Sequence, residues 1–450
     1  MNTSILFVFG SLVLAQAPPL HSLDPRVQRA IGEISDANIA ASMKKLEGFG
    51  SRNPHMPGSE AARAWIVEQF KSYSPRLEVR LDRHAVKKGG RFVRDLDVVN
   101  IVAMLPGKSE KERHVIVGGH YDSLAIVRKK DTSEGAKPDA TVSDWEATAI
   151  QPIAPGVSDD ASGTAVTLEL ARVLSQYEWE KTLVFIAFDA EEEGLIGSNR
   201  YADDAKKSGM IIDGVLNNDI VGNDIGGDGR KESARVYVFS DDPPDSPSRS
   251  LARYIRETAQ RYYPAMTVDL VYRADRFARG GDHSSFHNAG FPAVRFTTEV
   301  ENYKNQHTDT DTFENSSPAY TANVARVNCA AAASLALAPA APEVTREATT
   351  DLMKGRRIPM LGRGKTGYDA ELKWADFKGG GSVAGYVIKM RSTTAPEWQY
   401  EWYVGAVHEF TFAGKSIDDV VFGVRAVGRD GMESPVSAYV RPQMIFEAQP

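Results

Sequence analysis

The sequence is poor in cysteine, in long apolar runs and in positive charge. Its 450 residues contain one cysteine, Cys329, which excludes an internal disulfide and a thiolate metal cage. Cys329 lies in the apolar helical run VARVNCAAAASLALA, a setting that reads as a buried structural thiol rather than a nucleophile. An apolar run from Ile5 to Ala15 is well below the roughly 20 residues needed to span a bilayer. It ends at Ala15-Gln16-Ala17, followed by Pro18 and Pro19, and reads as a signal peptide over residues 1–17. The mature chain is therefore expected to be secreted or periplasmic. A net charge of −7 with no basic run leaves no footprint for nucleic acid and no attraction to anionic lipid.

What is present divides into two patterns. The length is too great for one small core and fits two domains. Val27, Ala30, Ile31 and Ile34, then Ile39, Met43, Leu46 and Phe49, recur at helical spacing, and Glu60 to Tyr73 reads as another amphipathic helix. LEVRLDRH, VVNIVAMLPG and HVIVGGHYD then read as strands. Beyond them, GVSDDASGTAVTLELARVL is loop and helix, and TLVFIAFDAEEEGLIGS is strand, loop and helix. This alternation predicts an α/β fold, a three-layer sandwich with a mostly parallel mixed central sheet flanked by helices, over residues 24–340. Leu124 to Pro155 is a long polar connection of the kind that is either functional or mobile. After the Ala/Pro-rich junction ALAPAAPEV the helical period disappears. Short strand candidates separated by turn signals predict an all-β sandwich over residues 346–445.

Five positions with metal-ligand chemistry fall at strand ends or loop–helix junctions: His120, the Asp159-Asp160 pair, the Glu191-Glu192 pair, Asp219 and His307. In open α/β sheets the crevice outside the carboxyl ends of the strands is the binding site, so the five are expected to converge. Singly, each has a plainer reading: a satisfied core histidine, a helix N-cap, a solvated acidic face. Together they are costly to bury without a cation. Three carboxylates and two neutral imidazoles, with a bridging hydroxide, balance two Zn²⁺ ions, and these residue types suit zinc. One carboxylate must stay free of metal to move protons, and Glu191 beside Glu192 supplies it.

The segments GGHYDS, PGVSDDASG, FDAEEEGLIGS, NNDIVG and HTDTDT, in this order, resemble the zinc aminopeptidase family that also includes glutamate carboxypeptidase. The likeness spans residues 24 to about 335. It implies two Zn²⁺ per chain, with His120 and Asp219 on one ion, His307 and Glu192 on the other, and Asp159 bridging. It implies Glu191 as general base and acid, Asp122 fixing the His120 tautomer, Asp160 supporting the bridge, and a cis peptide bond between Asp159 and Asp160. The loop RADRFARGGDHSSF becomes a pocket wall containing Asp282, and Tyr303 is a nearby candidate for the oxyanion-stabilising tyrosine that relatives often carry. The implied activity is removal of residues from the free amino end of peptides. Alternatives are a carboxypeptidase, for which Arg273, Arg276, Arg279 or Arg295 would hold the terminal carboxylate, a glutaminyl cyclase, and a non-catalytic binding protein. The C-terminal segment resembles a fibronectin type III domain through Trp374, Tyr386 and the run from Phe422, and is read as a spacer, with contact to polysaccharide or protein as the alternative.

Overall fold

The computed structural model describes residues 20–133, 137, 139–241, 245–348, 356–378 and 380–440. The expected signal peptide lies outside them. Helices α1 (Pro25–Gly32), α2 (Asp36–Glu47) and α3 (Pro57–Tyr73) come first, as the periodicity predicts. The strands that follow are β1 (Glu78–Val86), β2 (Leu96–Leu105) and β3 (Glu110–His120). The long connection after β3 carries a small antiparallel pair, β4 (Arg128–Lys130) with β5 (Thr141–Ser143), and a short helix α4 (Trp145–Ala149). Next come α5 (Ser162–Leu174), β6 (Lys181–Phe188), α6 (Ile196–Lys207) and β7 (Ile211–Asn218). The α/β part closes with β8 (Arg235–Ser240), α7 (Pro247–Tyr262), β9 (Thr267–Tyr272), α8 (Asp282–Ala289), β10 (Ala293–Thr298) and α9 (Pro318–Leu337).

These strands form one eight-stranded sheet in the order β1-β2-β6-β3-β7-β10-β8-β9. Strands β6, β3, β7 and β10 run parallel, and β8 with β9 form a second parallel pair antiparallel to β10. The side-chain period of two decides which layer each residue joins. Val115 and Val117 of β3, with Leu183, Phe185 and Ala187 of β6, pack beneath α1, α2, α3, α5, α7 and α9. Ile116, Val184, Ile186 and Phe188 face the opposite layer, α6 and α8. Every residue of β6 is buried, which is why KTLVFIAF reads as a continuous apolar run rather than an alternating one. Cys329 is buried in α9, and burial pushes its thiol well up, as a structural cysteine requires.

The C-terminal region is all antiparallel β. After a two-stranded pair, β11 (Thr345–Glu347) with β12 (Arg357–Pro359), two sheets face each other. One is β13 (Leu361–Arg363), β14 (Ala370–Lys373) and β17 (Glu409–Phe412). The other holds β15 (Val383–Ser392), β16 (Tyr400–Gly405), β18 (Val420–Gly428) and β19 (Ser437–Ala438). Their shared core contains Leu372, Trp374, Tyr386, Ile388, Phe422 and Val424. The Trp374 and Tyr386 rings meet edge to face at 5.4 Å. The sandwich is not suspended on a linker. Arg391 of β15 and Arg425 of β18 reach Asp245 and Glu257, at and on α7.

Candidate metal centre

The carboxyl ends of β3, β6 and β7 point to one crevice. His120 is the last residue of β3, Glu191 and Glu192 follow β6, and Asp219 follows β7. Asp159 precedes α5, and its peptide bond to Asp160 is cis, as the family resemblance leads one to expect. Helix α5 starts hard against β7: a Cβ on Gly163 would fall 2.1 Å from the Asn218 carbonyl oxygen, so only glycine fits. Five non-glycine residues hold left-handed backbone around the crevice, namely Ala190, Leu195, Ile220, Ala278 and His307. Such conformations are uncommon for residues with a side chain and gather at functional sites.

Asp159 stands between the two imidazoles. Its Oδ1 lies 3.1 Å from His120 Nε2 and its Oδ2 3.2 Å from His307 Nε2. Glu192 Oε1 is 3.1 Å from His307 Nε2, without hydrogen-bonding geometry, and is otherwise an unpartnered buried oxygen. Two ligands held tetrahedrally at 2.0–2.1 Å from zinc are separated by about 3.3 Å, so these spacings fit side chains sharing cations. Ligand atoms of His120, Asp159 and Glu192 all lie within 4.8 Å of one another. Asp219 lines the same pocket, of about 250 Å³, with Asp159, Glu191, Glu192 and His307.

The electrostatics agree with the donor chemistry. Glu192, opposed by burial and helped by Asp159, pushes His307 up to about 11. Burial works against His120 being charged, yet Asp122 and Asp159 raise it well above the ordinary histidine range. Burial first, then Asp219 and Glu192, push Glu191 well above a normal carboxyl. Acidic groups are crowded here beyond what the nearby side-chain cations neutralise, and divalent metal relieves that excess.

The supporting shell shows where sequence reasoning succeeded and where it fell short. Asp122 is near His120 Nδ1 through both its backbone oxygen (3.2 Å) and Oδ1 (3.4 Å). Its carboxylate also accepts the backbone N–H groups of Glu191 and Glu192, so it positions three site residues at once. Asp160 points away from the pocket and accepts N–H groups from His120, Gly163 and Ile220, tying β3, α5 and the β7 end together. Asp282 is fully buried at the start of α8 with both oxygens unpartnered, and burial raises it to about 7. It is not a lining residue of the pocket.

Tyr303 corrects an expectation. It is 66% exposed and lines a neighbouring cavity, not the pocket holding the metal-type ligands. Arg276 and Arg279, which line the metal-type pocket, come from the loop between β9 and α8 instead. Arg52 and Asp311 carried no usable signal, and Arg295, a candidate for a substrate carboxylate in the sequence, is committed to the protein's own acids. Arg52, completely buried, donates to the carbonyl oxygens of Leu46, Tyr121, Pro155 and Gly156, bracing the loops that present His120 and Asp159. Asp311 accepts the N–H groups of Ser158 and Asp159 at 3.0 Å. It sits inside HTDTDT, yet nothing in the motif separates it from Asp309. Arg295 holds Asp219 Oδ1 at 3.0 Å and is itself held by Asp275 at 3.1 Å.

Comparison with known proteins decides the family. The model of peptidase family M28 matches residues 100–332. A probable zinc metalloprotease of Pyricularia oryzae is 36% identical over 470 aligned positions, covering 95% of this chain and 86% of its own. The chain belongs to peptidase family M28. It is thus a zinc metalloprotease, a hydrolase of peptides. A second relative, a probable zinc metalloprotease of Leptosphaeria maculans, is 34% identical over 92% of this chain and 96% of its own. Among solved structures, the LapA aminopeptidase of Legionella pneumophila superposes with a TM-score of 0.53 at 19% identity, covering 75% of this chain and 80% of that one. At that identity the likeness speaks for the M28 fold alone. Among the described residues no helix is long and apolar enough to cross a membrane.

Proposed function

We propose that this M28 protein is an exported aminopeptidase that holds two zinc ions. The observation that carries the reading is the placement of Asp159 between two imidazoles, with Glu192 on one side and Asp219 in the same pocket. That set divides naturally into His120 and Asp219 for one ion, His307 and Glu192 for the other, and Asp159 for both. Bound zinc supplies an activated water and polarises the scissile carbonyl.

The chain's own residues do the rest. Glu191, unligated and raised by burial and by its acidic neighbours, takes the water proton and returns it to the leaving amine. Asp122 fixes the backbone of Glu191 and Glu192 and orients His120. The pocket, at about 250 Å³, is smaller than the roughly 300–1,000 Å³ of drug-sized clefts. It suits the end of a peptide better than its middle. Export rests on the apolar run and Ala15-Gln16-Ala17, and predicts a mature chain beginning at Pro18 outside the cell.

The test is a panel of free and N-acetylated aminoacyl-anilides, assayed before and after chelation and with Zn²⁺ restored. Chelator-sensitive hydrolysis of free amino ends alone supports the reading. Cleavage of N-acetylated dipeptides instead assigns a carboxypeptidase. Full occupancy by metal with no hydrolysis of either class counts against both.

A further inference from the structure

The pocket that contains the metal-type ligands also contains arginines, and two of them lack a close acidic partner. Arg276 is committed: it pairs with Asp275 at 3.0 Å and with Glu301. Arg295, beneath the site, is committed to Asp219 and Asp275. Arg279 is different. Its Nη1 donates to the neutral Gln306 side chain at 3.0 Å, and its nearest carboxylate, Glu301, is 3.7 Å away. Glu301 already accepts from Arg276 and from Gln306. Arg91 comes from the β1–β2 connection. Its guanidinium reaches the Glu192 carbonyl oxygen and lies over the Trp145 ring at 4.1 Å. Among the described residues no carboxylate stands within ion-pair distance of it.

Other charges that act on Arg279 are Asp159, Asp219 and Glu192, the carboxylates assigned to zinc. With cations in place those charges are neutralised, and Arg279 is left facing the cavity with unused donors. A guanidinium fork that is anchored on one side and open on the other is suited to a planar carboxylate. Arg91 is held in place from two sides, by a ligand's own backbone and by α4 of the long connection. That contact gives the 124–155 segment a part in shaping the pocket.

Building on the aminopeptidase reading, we propose that Arg279, assisted by Arg91, makes this pocket selective for peptides that carry a free carboxylate close to the scissile bond. The carboxylate has two chemical sources: the side chain of an acidic N-terminal residue, or the C-terminus of a dipeptide. In either case the neutral isostere leaves the guanidinium unpaired in a confined site.

The experiment compares matched pairs on the wild-type holoenzyme: glutamyl- against glutaminyl-anilide, and Leu-Leu against Leu-Leu amide. A kcat/KM ratio of about tenfold or more in favour of the carboxylate is expected for at least one pair, the size of one charge-assisted hydrogen bond. The pair that shows it identifies the source. Arg279→Met should bring that ratio to near one, Arg279→Lys should restore part of it, and Arg91→Met should reduce it. Ratios near one for both pairs in the wild type overturn the proposal, as does a preference that survives Arg279→Met. Binding of glutamate against glutamine, and of Leu-Leu against its amide, is measured by calorimetry on the same protein. If neither pair is hydrolysed, the aminopeptidase reading has failed, and the binding ratios decide the carboxylate proposal by themselves.

Discussion

The molecule buries two large groups of charged side chains, and they are built on opposite principles. At the metal centre Asp122, Asp159, Asp160, Glu192, Asp219 and Asp282 are buried with few cations among them, chiefly Arg52 and Arg295. At the seam between α7 and the β-sandwich the buried arginines Arg253, Arg391 and Arg425 each have an acidic partner. Arg253 pairs with Asp245 at 2.6 Å, and Arg391 pairs with the other oxygen of the same carboxylate. Arg425 pairs with Glu257 at 2.6 Å and with Glu433 at 3.0 Å, and Arg261 closes on Glu433 at 2.9 Å. The seam is complete in itself, and its ions fix one region against the other. The crevice is incomplete without something from outside. A buried acidic excess is therefore a stronger sign of a site than buried charge as such.

The difference is broken most severely by taking the metal away. Chelation should abolish peptidase activity and lower the melting temperature, because ions bound by the native state alone stabilise it. Zn²⁺ should restore both. His307→Ala should reduce the metal content in elemental analysis. A variant that still carries two full equivalents would remove His307 from the ligand set. Next in size is Glu191→Gln, which should lower kcat by about 10²–10⁴-fold, the usual worth of a general base. Metal content and folding should stay nearly intact, and normal turnover would sink the assignment.

The seam should answer differently. Arg425→Met removes the buried cation shared by Glu257 and Glu433 and leaves Arg261 as the remaining arginine beside both carboxylates. The expected loss is below the roughly 3–5 kcal/mol of a buried pair broken on one side, because Arg261 still meets both carboxylates. Metal content and KM should not change. Reduced zinc in this variant would show that the two charge groups are coupled, contrary to the comparison.

Legibility followed chemistry more closely than contacts. His120, Asp159, Glu192, Asp219 and His307 stand out in the sequence because their residue types, at strand ends and in loops beside them, suit one chemistry, and the sheet brings the strand ends together. The α/β architecture was legible from β6 and its neighbours, since runs such as KTLVFIAF have only one comfortable place, between two helical layers. Arg52 and Asp311 were not legible. Their work is hydrogen bonding to backbone groups of distant loops, which leaves no periodicity and no local motif. Tyr303 misled because closeness in sequence to His307 says nothing about which way a loop turns. Arg91 comes from a hairpin about a hundred residues before Glu192, whose carbonyl it meets, so only the folded chain puts them side by side.

The smallest effect expected is a pH dependence that belongs to the seam. Burial opposes the charge on Glu257 and on Glu433, but Arg425 holds both below the ordinary carboxyl range. Glu401 is also opposed by burial, yet Lys389 and His21 bring it down to about 2. A carboxylate depressed in the folded state contributes stability that is fully present above its unfolded value, about 4.3, and is lost as pH falls through the folded value. The seam should therefore weaken between about pH 4.5 and pH 2. Acid also protonates metal ligands, so the measurement belongs on chelated protein, by urea unfolding at pH 5 and pH 3. Arg425→Met no longer depresses Glu257 and Glu433, and its stability should fall less steeply over that interval than the wild type's. Equal slopes would mean that the seam's ion pairs contribute nothing that depends on their charge, and that packing alone holds the sandwich to α7.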